Sequence, residues 1–216
     1  MYEKIFVLFL VLHYTRSALI ELSCSDINTF ISGQNAVREL VAEGKVEGLP
    51  PAAEMNSVVW DEELAAKAEK WAASYPKSVD PDQTIPSHRF SVSQSISVFL
   101  SNDLNFQMDT EKLQIMWFNE HENYTYGPFT QETISPSHPP VGHFTQMIWS
   151  DSVYLGCAMS ENIEDKLKKI YIVCEYGPSA NVLGQLPYKA GKASNKLICA
   201  TDENRCENPT AKKCYE

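Results

Sequence analysis

Hydrophobic positions recur along this chain with two different periods, and the change from one to the other falls after Trp149. Behind Ser23 and Asp26, which can cap a helix start, Ile27, Phe30, Ile31, Val37, Leu40 and Val41 keep mostly helical spacing and predict a first helix over 23–43. Gly44, Gly48, Pro50 and Pro51 break it. A second helix begins at Asp61, Glu62 and Glu63, whose charges suit the positive end of a helix dipole. Its apolar stripe is Trp60, Leu64, Ala65, Ala68, Trp71, Ala72 and Tyr75. Pro76, Pro81 and Pro86 then predict a long surface loop with His88 at its end. Helical spacing returns over Leu113 to His121, with Leu113, Met116, Trp117 and Glu120 near one face. Phe144, Met147 and Ile148, at i, i+3 and i+4, predict a short helix that buries them and turns His143 toward a cavity.

Beyond Trp149 the pattern is extended. Val153 to Met159 and Ile170 to Tyr176 are apolar, β-branched runs around the polar stretch 160–169, which predicts an antiparallel pair joined by a long charged loop. A symmetric loop places Cys157 opposite Cys174, within disulfide reach. Three more cysteines, Cys199, Cys206 and Cys214, lie in a closing segment poor in apolar residues. The odd one there must pair with Cys24 or with another chain.

Composition narrows the setting. An apolar run from Ile5 to Leu12 after Lys4, followed by Ser17 and Ala18, has the layout of a secretory signal over 1–18 and is too short for a bilayer span of about 20 residues. An exported chain with six cysteines and without paired short Cys spacings reads as disulfide-bonded, secreted and extracellular, with no stable membrane insertion. A net charge of −10 argues against a nucleic-acid partner, which needs a basic surface. Asn123-Tyr124-Thr125 is a glycosylation acceptor triplet, making Asn123 a candidate attachment site. Taken alone, His143 is more often a hydrogen-bonded structural histidine than a ligand, and Glu120 a solvated helix-end charge.

Gly142-His143-Phe144-Thr145-Gln146-Met147-Ile148-Trp149 resembles the first signature of the CAP superfamily of cysteine-rich secretory, antigen 5 and pathogenesis-related proteins. Tyr171-Ile172-Val173-Cys174-Glu175-Tyr176-Gly177-Pro178-Ser179-Ala180-Asn181 is similar to the second. Gln34-Asn35-Ala36-Val37-Arg38, Met55-Asn56, Trp60-Asp61, Leu64-Ala65 and Trp71-Ala72 extend the resemblance over about residues 25–190, most like the secreted venom allergen-like proteins of parasitic worms. The resemblance implies an α+β fold, a three-layer α-β-α sandwich with a central antiparallel sheet. The family domain would span 19–188 and a disulfide-bonded, cysteine-containing C-terminal extension 189–216. It also implies a cleft with two histidines and two acids. His143 matches the signature histidine, Glu120 the acid three residues after a tryptophan, and His88 is the candidate for the other histidine. Where relatives carry Gly-Glu-Asn this chain offers Ser93-Gln94-Ser95, so Gln94 stands in the place of a carboxylate.

His88, Glu120 and His143 are thus the candidate ligands of a divalent metal such as zinc, two imidazoles and a carboxylate leaving an open site. A zinc-dependent hydrolase would use Glu120 as base, but Gln94 removes a proton acceptor and a negative charge from the cleft. Without a nucleophile turn or free thiol, the expectation is a non-enzymatic protein that requires no cofactor. Family members bind sterols through an aromatic loop before the first signature and fatty acids between helices. Tyr124, Tyr126 and Phe129 occupy that stretch as candidate lipid-binding residues, against the plainer reading that they fill core beside Trp117. The expected function is a secreted sterol or fatty-acid binder that modulates host responses, with a receptor ligand recognised by a host protein as the further alternative.

Overall fold

The computed structural model describes residues 16–133, 135 and 137–215 of the 216-residue chain. In chain order it holds β1 (Arg16–Ile20), α1 (Cys24–Ala42), β2 (Val59–Trp60), α2 (Glu62–Ala72), β3 (Ser93–Ser101), α3 (Thr110–Asn119) with a 3-10 turn at Glu120–Asn123, α4 (Gly142–Met147), β4 (Tyr154–Glu164), β5 (Leu167–Gly177) and α5 (Glu203–Glu207). The expected signal segment lies outside the described residues through position 15, and its last positions belong to β1.

One sheet in the order β1-β4-β5-β3 forms the middle layer, antiparallel throughout that path, with β2 adding two residues parallel to β4. Helix α2 covers one face against β4 and β5, and α1, α3 and α4 cover the other. The alternation of strand residues explains both layers. Ile170, Ile172, Cys174 and Tyr176 of β5 join Phe30, Ile31, Leu113 and Phe144 in the main core, while Val173 points the other way and meets Ala68 and Ala72. Gly156 allows the close approach of α2, because a Cβ there would fall 2.1 Å from the Ala65 nitrogen.

The helices start where the sequence offers caps. The Ser23 side chain accepts from the Asp26 N–H and the Asp26 side chain accepts from the Ser23 N–H, while Asp61 and Asp109 cap α2 and α3. Arg38 is fully buried and donates to the carbonyls of Asn56, Met147, Trp149, Ser150 and Ser152, which fastens α1 to the segment that leaves α4. Burial lowers this guanidinium to a pKa of about 9, still charged at neutral pH.

Cys157 stands opposite Cys174 and the two are bridged. In the tail Cys199 pairs with Cys206, and Cys214 pairs with Cys24, which resolves the open choice in favour of a bond within the chain. The long charged loop of 160–169 is instead strand. β4 and β5 stay paired out to Glu164 and Leu167, and Asp165 and Lys166 make the turn with φ of 50° and 67°. Salt bridges from Lys168 to Glu161 and from Lys169 to Glu164 pair the charges that looked like a loop. β3 has no counterpart among the predicted elements, because its serine-rich sequence lacks a continuous apolar run.

Candidate functional site

A cleft of about 620 Å³ opens over the first half of β3, an edge strand of the sheet. One wall is α4 with the turn that precedes it; the other is the loop through residues 79–83 together with Glu175 of β5. Val79, Val92, Ile96, Phe129, Val141 and Ala180 supply its apolar surface.

On the α4 wall His143 is held at every polar atom. Helix α4 has no side-chain cap of its own, and Glu120, from the turn after α3, supplies one. Its Oε2 accepts from the backbone N–H of His143 at 2.8 Å and of Phe144 at 3.1 Å. Its Oε1 lies 2.6 Å from His143 Nδ1, and His143 Nε2 lies 3.0 Å from the Ile96 carbonyl. A carbonyl can only accept, so Nε2 carries a proton in that bond. The imidazole is also stacked on Trp117 with centroids 5.1 Å apart and planes 6° from parallel, and Trp117 Nε1 donates to Ser97 Oγ. Burial alone would lower the His143 pKa, but the hydrogen bond and charge of Glu120, with the Ile96 carbonyl, outweigh it and hold the group above the ordinary histidine value.

Glu120 is therefore a buried anchor rather than a solvated helix-end charge. His88 does not reach the cleft. It sits exposed in the loop before β3 with φ of 52°, away from the residues that line the site. The residues present do not fit a zinc centre. Both nitrogens of His143 are engaged, His88 is elsewhere, and among the described residues no three His, Cys, Asp or Glu side chains are placed to share a metal ion.

The opposite wall is built around a residue the sequence reading passed over. Glu175 is 1% exposed and lies in register with Gln94 across the β3–β5 pair. Gln94 Nε2 donates to Glu175 Oε1 at 2.6 Å, and Gln94 Oε1 accepts from the Asp80 N–H at 3.1 Å. Gln94 lines the cleft, and a carboxyl, which its own position lacks, comes from the neighbouring strand. Burial, the largest influence, pushes Glu175 up to about 7 despite the Gln94 hydrogen bond and the charge of Lys67. Lys67 itself pairs with Asp80 at 2.8 Å. The available signal was a single carboxylate inside the apolar run Ile170 to Tyr176.

The aromatic stretch divides. Tyr124 and Tyr126 are half-buried and pack against the main core, the Tyr124 hydroxyl donating to the Gly127 carbonyl and the Tyr126 hydroxyl to that of Tyr188. They do not form an exposed aromatic loop; packing and internal hydrogen bonds use both ends of each ring. Phe129 packs with Trp149 and Ala180 and borders the cleft. Asn123 is exposed at the end of the 3-10 turn.

A model of the cysteine-rich secretory protein family, CAP, matches residues 31–176. Venom allergen 5 of Vespa magnifica is 35% identical over 149 residues, which are 69% of this chain and 63% of that protein, less than two thirds of its length. Venom allergen 3 of Solenopsis invicta is 33% identical over 177 residues, 76% of this chain and 72% of that protein. Among solved structures, the crystal structure of NaASP2 with Zn2+ superposes with a TM-score of 0.61 at 28% identity, covering 79% of this chain and 88% of that one. Venom allergen-like protein 4 of Schistosoma mansoni shares the fold, with a TM-score of 0.60 at 22% identity over 80% of this chain and 98% of that one.

Proposed function

This chain belongs to the cysteine-rich secretory protein family, CAP, and on that footing we propose that it is a secreted, non-enzymatic carrier of a small apolar-bodied ligand held in the β3 cleft. The observation that carries this reading is the state of His143. A metal-bound imidazole, or one that acts as a general base, needs a free lone pair, and both nitrogens here are committed to Glu120 and Ile96. What remains open to a ligand is apolar wall with a few polar groups behind it, the usual makeup of a small-molecule site.

Of the two ligand classes, the sterol suits the cleft better. A fatty-acid carboxylate would lie among Asp80, Asp82 and Glu175, whereas a sterol hydroxyl is neutral and can donate to them. Host modulation follows as the biological role, since an extracellular carrier acts by removing or delivering its ligand, with or without a host receptor.

Titration with a fluorescent cholesterol analogue tests the proposal. Saturable binding is expected, weakened about tenfold by Phe129→Ala and less by Phe129→Leu, which keeps the wall filled. Tyr126→Phe should bind like the native protein. No saturable binding overturns the carrier, and equal affinity in the Phe129 variants overturns its location in this cleft.

A further inference from the structure

The cleft holds polar atoms that find no partner among the described residues, and most of them are acceptors. Gln146, one turn after Gly142 on α4, is 1% exposed and lines the cleft, yet among the described residues neither its Oε1 nor its Nε2 has a partner. Asn181 donates through Nδ2 to the Gly142 carbonyl at 2.9 Å, which fixes its orientation and leaves Oδ1 buried and unpaired. Glu175 gives Oε1 to Gln94, and its Oε2 makes no hydrogen bond among the described residues. Leaving such groups unmet costs about 1–3 kcal/mol each, so a ligand that meets them gains what the fold forgoes.

The charge around them has a sign. Asp80 and Asp82 face the site from the loop of residues 79–83, with Glu175 behind them on β5. Lys67 of α2 offsets Asp80 through its salt bridge, and its other hydrogen bond goes to the Asp82 carbonyl rather than the carboxylate. From the α4 side the titratable groups are His143, already closed on Glu120, and His138, which pairs with Glu132 at 3.5 Å. Among the described residues, two unpaired amide oxygens, a buried carboxyl and the Asp82 carboxylate, which pairs with no cation and accepts only from Thr84, outnumber the one unpaired donor, Gln146 Nε2, and call for a ligand group with several donors and positive charge. An alkylammonium has three N–H donors and nothing else.

We propose that the polar end of this cleft is a site for the primary ammonium group of an amphipathic amine, received by Glu175, Gln146 and Asn181 while its apolar body lies on Val92, Ile96 and Phe129. The inference rests on the reading of the cleft as a ligand site and names the head group that site selects. Glu175 sits near 7 without a ligand, so an arriving ammonium draws off its proton and amine binding strengthens as pH rises through neutrality.

Calorimetric titration of the full chain with octylamine, 1-octanol and octanoate separates the possibilities, because the three share one tail and differ in the head. Octylamine is expected to bind about tenfold more tightly than 1-octanol at pH 8, with octanoate weakest. Glu175→Gln should bring octylamine down to the level of 1-octanol and leave 1-octanol unchanged; Asp82→Asn, on an exposed loop, should reduce the amine preference with little risk to folding. Equal binding of amine and alcohol by the native protein, or an amine preference that survives Glu175→Gln, overturns the ammonium site. If cholesterol and 1-octanol fail to bind while octylamine binds and depends on Glu175, the sterol carrier falls and the ammonium site stands.

Discussion

The α4 wall and the β5 wall of the cleft each place a titratable side chain within an apolar segment, and they differ in how its polar atoms are met. His143 has a partner on each ring nitrogen and a tryptophan on its face. Among the described residues Glu175 has a partner on one oxygen only, with unpaired Gln146 and Asn181 atoms in the same cleft. A closed network rigidifies the fold, whereas an unfinished one stores affinity for whatever completes it. The signature histidine therefore reads as architecture in this chain, and the ligand chemistry lies across the cleft.

The largest effect expected from this contrast is on stability. Glu120→Ala leaves the His143 ring and two N–H groups at the start of α4 without their acceptor, and should lower the unfolding free energy by about 3–5 kcal/mol in urea titrations. A change below about 0.5 kcal/mol would return Glu120 to the role of a solvated surface charge.

A smaller effect separates the walls by pH. The native state holds a proton on Glu175 up to about 7, while the unfolded chain releases it near the ordinary value of 4.5, so the native state binds more protons between those values. Stability from this group is complete below the unfolded value and is lost as pH rises through about 7. The loss is on the order of 3 kcal/mol at most. His143, also raised, acts in the same direction, its contribution present below its ordinary value and lost as pH climbs through the native one. Thermal unfolding should thus occur at higher temperature at pH 5 than at pH 8, and Glu175→Gln should flatten the part due to the β5 wall. An unchanged pH profile in that variant would mean that Glu175 is charged and solvated.

Sequence periodicity located α1, α2, α4 and the pairing of Cys157 with Cys174, because each rests on local spacing or on one hairpin register. It put Glu120 on the buried side of one helix and His143 at the start of another, and their placement in one cleft followed from family resemblance rather than from spacing. The failures have physical causes. The 160–169 stretch is polar because that end of the hairpin satisfies its side chains through cross-strand ion pairs rather than core contacts. His88 was offered by the resemblance, and it sits exposed before β3 with φ of 52°, outside the cleft, because chain order carries no information about the direction of a loop side chain. Glu175 was hidden inside a signature motif, and only the strand register reveals that it faces Gln94.

The closed state of His143 is the claim on which the assignment of the two walls depends, and nitrogen-15 NMR of the imidazole ring measures it directly. The account predicts a proton on Nε2, held in the bond to the Ile96 carbonyl, and ring-nitrogen shifts that do not move when zinc is added in excess at pH 7. An unprotonated Nε2 whose resonance shifts on adding zinc would contradict it.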